Sequence, residues 1–382
     1  MRVYLDHNAT SPLLPAARAA MVAALDAGGN PSSVHDEGRI ARRTVETART
    51  EVAALVNAKP AEVIFTSGGS EANALALRGA VKAHRVTRLL VGATEHDSVL
   101  TVADDLAGEG GLSVARIAVD RDGRIDLNHF QSLLAEAPES TLVSVMLANN
   151  ETGVIAPLAD IVASAKAKGA LVHVDAAQAA GRMGVDFKAL GADLLTLSAH
   201  KFGGPQGVGA LIVRDGVAIA RQIAGGGQEL GRRAGTENVP AIAGFGAAAA
   251  HARAHLEVWT RLAALRDRLE ASVLNSMPQA VVHGAGASRL PNTTMLGLAG
   301  VSGETQVMAL DLAGFAISSG AACSSGRVKT SHVLAAMGVA DAGDAVRIAL
   351  GPATTEAEVD AFVTAWISFA ERALARRTQK AA

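Results

Sequence analysis

An α/β fold built on a largely parallel sheet is the class that this 382-residue chain predicts. Three observations lead there. Short apolar runs recur at 62–66, 88–91, 112–119, 142–146, 171–174, 194–197 and 208–213, with helical stretches between most of them, which is the alternation of a sheet covered on both faces. Several of these runs end in polar residues or a glycine turn, as strands do where an open sheet meets its ligand. The composition is 49% hydrophobic with 3% aromatic residues and 39 glycines scattered among apolar segments. That points to a core of Ala, Val, Leu and Ile joined by tight turns rather than to disorder. The length is sufficient for two domains.

In chain order, residues 1–12 read as a short strand and turn closed by Pro12, and a helix follows over 15–25. Residues 29–33 form a loop, with Ser33 placed to start the next helix. That helix carries Val45, Ala48, Val52 and Leu55 on one face, the 3.6-residue period of a packed helix. The strand at 62–66 runs into Ser67-Gly68-Gly69-Ser70-Glu71-Ala72-Asn73. Strand, glycine turn and helix start together make an anion site, because unbonded N–H groups and the positive helix end face one point. The turn lacks both a P-loop lysine and G-x-G-x-x-G spacing, which excludes those nucleotide-binding motifs.

The strand at 88–91 precedes Ala93-Thr-Glu95-His96-Asp97-Ser98, and the strand at 142–146 precedes Asn149-Asn150-Glu151-Thr152-Gly153. The latter is turn-forming by composition alone. Asp175 and Gln178 follow the strand at 171–174, and Ser198, His200 and Lys201 follow the strand at 194–197, just before Gly203 and Gly204. A lysine past a buried strand, with glycines admitting a ligand closely, suits Schiff-base chemistry. An aspartate 26 residues earlier, at a neighbouring strand end, suits the partner of a pyridinium nitrogen. Residues 225–236 read as a flexible loop carrying Arg232 and Arg233, and 241–250 as a buried helix too short to cross a bilayer.

From about residue 256 the pattern becomes α+β. A helix carries Leu262, Leu265, Leu269 and Val273, and short strands are expected near 280–283, 293–298 and 315–318. Arg347 lies in an apolar strand-like setting, where a buried guanidinium needs an anion. The last helix opens with the capping box Thr355-x-x-Glu358 and shows Val359, Phe362, Trp366 and Phe369 to a core.

Cys323 is the only cysteine. No disulfide can form within the chain, which fits a reducing, cytoplasmic setting. Its neighbours are Ser, Gly and Ala rather than bulky apolar residues, with Arg327 and Lys329 nearby. This context suits an accessible loop and favours the thiolate. The formal net charge of −2 gives no broad footprint for nucleic acid, and no apolar run or signal core indicates a membrane.

Asp175-x-x-Gln178 followed by Ser198-x-His200-Lys201 resembles the pyridoxal phosphate (PLP) site of the class V aminotransferase superfamily, and within it the cysteine desulfurases of the NifS/IscS type. The likeness runs from Tyr4-Leu-Asp-His-Asn-Ala-Thr10 to Val346-Arg-Ile-Ala-Leu-Gly351. It implies a fold type I PLP-dependent transferase. The large PLP-binding domain, at 13–255, has a mostly parallel seven-stranded sheet. A smaller α+β domain, from 1–12 and 256–382, carries the cysteine loop. For cofactor binding it implies Gly69, Ser70, His96, Asn150, Asp175, Gln178, Ser198, His200 and Lys201, with Thr236 reaching the phosphate of a second subunit in a homodimer with shared sites. Lys201, His96 and Cys323 are the implied catalytic residues, and Arg347 and Asn150 bind the substrate. The substrate is L-cysteine, whose sulfur passes to Cys323 as a persulfide while alanine leaves.

The resemblance expects no metal held by side chains alone, with Cys323 as a transient ligand of an iron–sulfur cluster. The sulfur acceptor is an iron–sulfur scaffold or a tRNA-thiolation sulfur carrier. Because the sequence ends soon after the last helix, the scaffold is the less supported of the two. Selenocysteine lyase or another PLP-dependent β-lyase is the near alternative, and a non-catalytic PLP-binding scaffold the distant one.

Overall fold

The computed structural model describes residues 2–138, 140–319 and 330–381; the Cys323 segment expected to carry the nucleophile lies outside the described residues. The chain opens with β1 (Val3–Tyr4), α1 (Pro15–Ala27) and α2 (Asp36–Leu55). It then alternates β2 (Val63–Thr66), α3 (Gly69–His84), β3 (Arg88–Gly92), α4 (Asp97–Gly108), β4 (Ser113–Ile117), α5 (Leu127–Ala135), β5 (Thr141–Met146) and α6 (Leu158–Ala167). Next come β6 (Leu171–Asp175), α7 (Phe187–Leu190), β7 (Leu194–Ser198), β8 (Gly209–Val213) and α8 (Val239–Ala254).

Strands β2 to β8 form one seven-stranded sheet in the order β2-β8-β7-β6-β5-β3-β4. β4, β3, β5, β6 and β7 are joined by parallel pairings, and β8 runs antiparallel to both β7 and β2. Every residue of β2, β5, β7 and β8 is buried. Two covered faces explain why these strands read as continuous apolar runs rather than as alternating patterns. One face packs against a core that takes in Val45, Val52, Phe130, Ile161 and Phe245 from the helices. The other packs against Leu75, Leu77, Val99 and Ala103 of α3 and α4. The carboxyl ends of β2, β3, β5, β6 and β7 share one edge of the sheet, where an open α/β fold puts its ligand.

The rest of the chain is α9 (Val258–Ser276), β9 (Ala280–His283), β10 (Thr293–Leu298), α10 (Gly303–Leu312), β11 (Phe315–Ala316), α11 (His332–Ala336), β12 (Ala345–Ala349) and α12 (Glu356–Ala381). β12, β10 and β9 form an antiparallel sheet in that order. Its core joins Leu262, Leu265, Leu269 and Val273 of α9 to Val359, Phe362 and Trp366 of α12. Val3 and Leu5 belong to this core, β1 pairs in parallel with β11, and Asp6 bridges to Ala349. The capping box forms reciprocally: Thr355 N–H donates to Glu358 Oε2, and Glu358 N–H donates to Thr355 Oγ1.

Two local expectations change. α2 is capped by His35, whose ring accepts from Gly38 N–H, and not by Ser33. The 225–236 segment is pinned rather than loose. Glu229 is buried, pairs in a fork with Arg49 and accepts from Phe65 N–H, while Arg233 pairs with Glu71. Glu229 and Leu230 both hold left-handed backbone, with φ of 47° and 56°, a conformation that costs energy in non-glycine residues and is retained here by the buried ion pair.

Candidate active site

A cavity of ≈ 250 Å³ opens at the carboxyl edge of the large sheet, and Asp175, Gln178, Ser198, His200 and Lys201 all line it. Their convergence follows from the pairing of β6 with β7, which sets Asp175 beside Thr196 and brings both strand ends to one crevice. Lys201 stands in a 3-10 turn over Ala199–Phe202, and its Nζ donates to the carbonyls of Asn8 at 2.8 Å and Ala9 at 2.9 Å. Asp175 is oriented from two sides. Ala177 N–H donates to Oδ1 at 2.9 Å, and Asn73 Nδ2 donates to Oδ2 at 2.8 Å.

The glycine turn meets the same cavity. Gly69 and Ser70 line it at the start of α3, so the amino end of a four-turn helix faces an anion site. The turn is held by Thr66 Oγ1 donating to Gly68 O and by Glu71 accepting from Ser67 N–H. A side chain at Gly69 would bring its Cβ within 3.3 Å of Ser198 Cβ. The turn and β7 are thus in close approach, and a Cβ here would need a shift of a few tenths of an ångström.

His96 lines the cavity and caps α4 through Nδ1, which accepts from Ser98 N–H at 3.1 Å. That bond leaves the ring proton of the neutral tautomer on Nε2. His200 contacts Thr10 Oγ1 through Nδ1 at 3.1 Å. Burial, with Lys201 and Arg182 nearby, pushes its pKa down to about 4. Asn150 lines the cavity, and its Oδ1 is buried without a hydrogen-bond partner among the described residues. Its neighbour Asn149 instead builds the turn, accepting from Glu151 and Thr152 N–H and donating to Thr94 O.

Two expected residues stand apart from the cavity wall. Arg347 is buried behind it, donating to Asn150 O at 3.0 Å and to Asp6 Oδ1 at 2.8 Å, and its Nε has no hydrogen-bond partner among the described residues. The anion that its burial demands is thus supplied within the chain by Asp6. Thr236 lines a separate pocket with Ser67 and Gly235 and is exposed.

Sequence reasoning missed several groups. Asn73 ties Asp175 to Ser98. Glu95 is buried next to the site, accepts from Met146 N–H and has its pKa raised well above the usual value by burial, with Asp175 adding to the effect. His173, two residues before Asp175, bonds Ser144 on β5 and Thr196 on β7, and burial pushes its pKa down to about 4. Arg182 is fully buried and reaches Asn8, Gln178 and the Lys201 carbonyl. The run Thr94-Glu95-His96 was visible in the sequence, but none of these contacts has a spacing signature.

The donor set suits a flat anionic aldehyde with a basic ring nitrogen, which is the chemistry of PLP. An amine, a carboxylate and a helix amino end share one cavity, and the unpartnered Asn150 oxygen offers a further polar contact. Among the described residues, no group of three or more His, Cys, Asp or Glu side chains could hold a metal ion. No helix among them is long and apolar enough to cross a membrane.

The Aminotransferase class-V family matches residues 3–362. A cysteine desulfurase of Cereibacter sphaeroides is 46% identical over 364 residues, which cover 94% of this chain and 93% of that protein. Among solved structures, a NifS-like protein superposes with a TM-score of 0.90 at 35% identity, covering 97% of this chain and 99% of that one. SspA in complex with cysteine superposes with a TM-score of 0.79 at 29% identity, covering 93% and 100%.

Proposed function

Since the chain belongs to the Aminotransferase class-V family and is a PLP-dependent cysteine desulfurase, we propose that it acts on L-cysteine and that the residues around the ≈ 250 Å³ cavity divide the work as follows. When bound, PLP supplies an electron sink for charge developing at the substrate's α-carbon. Lys201 would hold the cofactor through its amine, and the same amine would move the α-proton as a base and acid. Asp175, fixed by Asn73 and Ala177 N–H, keeps a proton on the ring nitrogen. Gln178 donates to the phenolate oxygen. Gly69, Ser70 and the amino end of α3 take the phosphate, with Ser198 and His200 beside it. His96, carrying its proton on Nε2, would help hold the cofactor and relay protons at the substrate.

Arg347 takes the substrate α-carboxylate, for which a planar guanidinium is suited. Its Nε, which has no hydrogen-bond partner among the described residues, would supply one donor. Cys323 attacks the substrate sulfur as thiolate. The new S–S bond forms as the Cβ–S bond breaks, so the sulfur stays on the protein as a persulfide and alanine leaves. The likeness to SspA, solved in complex with cysteine, supports this choice of substrate.

We further propose two domains, 13–255 around the cavity and 1–12 with 256–382, consistent with the separate cores on Val45/Phe245 and Leu262/Trp366. The exposed Thr236 fits a homodimer in which it serves the partner's phosphate. The persulfide is passed to an acceptor protein in the cytoplasm.

The observation that carries this reading is the convergence of Asp175 and Lys201 on one cavity with the amino end of α3. The test is alanine release from L-cysteine together with the visible absorbance of the reconstituted protein. Lys201→Ala is expected to lose the lysine-dependent band and at least about 10³-fold of turnover. Turnover unchanged by that substitution would refute the assignment.

A further inference from the structure

Arg182 is buried at 1% exposure, yet every acceptor it reaches among the described residues is neutral. Nη1 donates to Asn8 Oδ1 at 2.6 Å and Gln178 Oε1 at 2.5 Å; Nη2 donates to His7 O at 2.8 Å and Lys201 O at 3.1 Å; Nε has no hydrogen-bond partner among the described residues. No salt bridge to a carboxylate involves it among the described residues. Burying a guanidinium without a carboxylate is costly, so its retention calls for a use that a smaller neutral residue would not serve.

The fork supplies one. An amide side chain has nearly the same shape after a flip, and its hydrogen bonds alone decide which end is donor. A guanidinium has donors and no acceptor, so it fixes Gln178 Oε1 against itself and turns Nε2 outward. Nε2 now donates to Asn8 O at 2.9 Å. Asn8 favours the same orientation, and Asn8 is itself held by Arg182 through Oδ1 and through the preceding carbonyl of His7. The main chain of Lys201 is already set by its 3-10 turn, closed by Gly204 N–H on Ala199 O. Gln178 is therefore the cavity-lining group that Arg182 orients, from the oxygen end, while Asn8 O holds the nitrogen end.

We propose that Arg182 is a positioning residue of the reaction, locking the amide of Gln178 so that its NH₂ faces the cavity and donates to the cofactor's phenolate oxygen. The inference rests on the roles proposed above for Gln178 and Lys201. The charged and titratable groups around Arg182 are Lys201, Arg347, His7 and His200. Burial, with Arg347 nearby, already lowers its own pKa to about 9.

The test titrates the visible band of the lysine-bound cofactor in the wild-type holoenzyme and in Arg182→Met, Arg182→Lys, Gln178→Ala and the Arg182→Met/Gln178→Ala double variant, alongside kcat and KM for L-cysteine. Arg182→Met keeps the length of the side chain and removes its donors, whereas Arg182→Lys keeps a head that only donates. A donor on the phenolate favours its ionised form, so losing the donor raises the midpoint. Arg182→Met and Gln178→Ala are each expected to raise it by about one pH unit, with kcat down about tenfold and KM changed far less, and Arg182→Lys should stay closer to wild type. The double variant should titrate with Gln178→Ala alone, since the two residues act as one. A wild-type midpoint in Arg182→Met, or additive shifts in the double variant, overturns the proposal. A band that survives Lys201→Ala overturns the underlying cofactor assignment instead, and separates that failure from this one.

Discussion

Asp175 and Asn73 are 102 residues apart, and a single 2.8 Å hydrogen bond joins them. The second arm of the same amide nitrogen reaches Ser98 Oγ at 2.9 Å. Asn73 thereby links the carboxylate proposed to partner the ring nitrogen to the hydroxyl that also contacts His96. Removing it leaves Asp175 with one fewer donor and room to rotate. Asn73→Ala should lower kcat for alanine formation about 10- to 100-fold, with KM for L-cysteine changed far less; an equal rise in KM at unchanged kcat would assign Asn73 to substrate binding. At this scale the sequence was legible wherever chemistry and spacing coincide. Lys201, Asp175, Gln178 and His200 each stand next to a strand end, and all line the cavity. It was illegible where a side chain acts only through another. Asn73, Glu95, His173 and Arg182 look like ordinary helix, strand or turn residues until the sheet sets them beside the site.

Strands and helices were read well because burial on two faces writes them into the sequence as apolar runs of the right length. The expected strands at 142–146 and 194–197 correspond to Thr141–Met146 and Leu194–Ser198. The errors fell where side chains cap or clamp. Ser33 is a better cap by propensity than His35, but α2 begins at Asp36, so His35 and not Ser33 holds the capping position. The 225–236 segment looked loose because its anchor, Arg49, lies in another element. One glycine links element packing to the cofactor turn. A Cβ at Gly209 of β8 would lie 2.6 Å from Gly68 C, which is main chain and cannot rotate away. Gly209→Ala should therefore push β8 and the turn apart, cost about 1–3 kcal/mol of stability and weaken PLP rebinding to the apo-protein about tenfold. Fluorescence titration with PLP checks this, and unchanged affinity would show that the turn does not depend on β8.

The molecule as a whole buries ionisable groups of opposite tendency. His7, His173 and His200 have pKa values pushed down to about 4 by burial. Their neutral forms are favoured in the folded state, so the stability they contribute is present above their usual value of 6.5 and is lost as pH falls toward 4. Glu95 runs the other way. Its raised pKa favours the protonated form, so its contribution is present below 4.5 and is lost as pH rises through its folded value. Glu95→Gln removes the opposing contribution. The urea midpoint of that variant should gain on wild type as pH rises and fall more steeply than wild type between about pH 6.5 and 4. Parallel profiles would mean that Glu95 is not protonated in the folded protein.

The assignment of Cys323 as the sulfur acceptor is the central claim of the mechanism and lies outside the described residues. The sequence marks it as a thiol among small residues with Arg327 and Lys329 nearby, and the resemblance gives it the nucleophile's role. The most direct measurement is peptide mass mapping of the PLP-loaded protein after one turnover of L-cysteine, with alanine quantified in parallel. The Cys323 peptide should be one sulfur atom heavier, matched by one alanine released. Cys323→Ala should keep the cofactor band while carrying no added sulfur and losing turnover. Alanine and sulfide released by Cys323→Ala at the wild-type rate would contradict it.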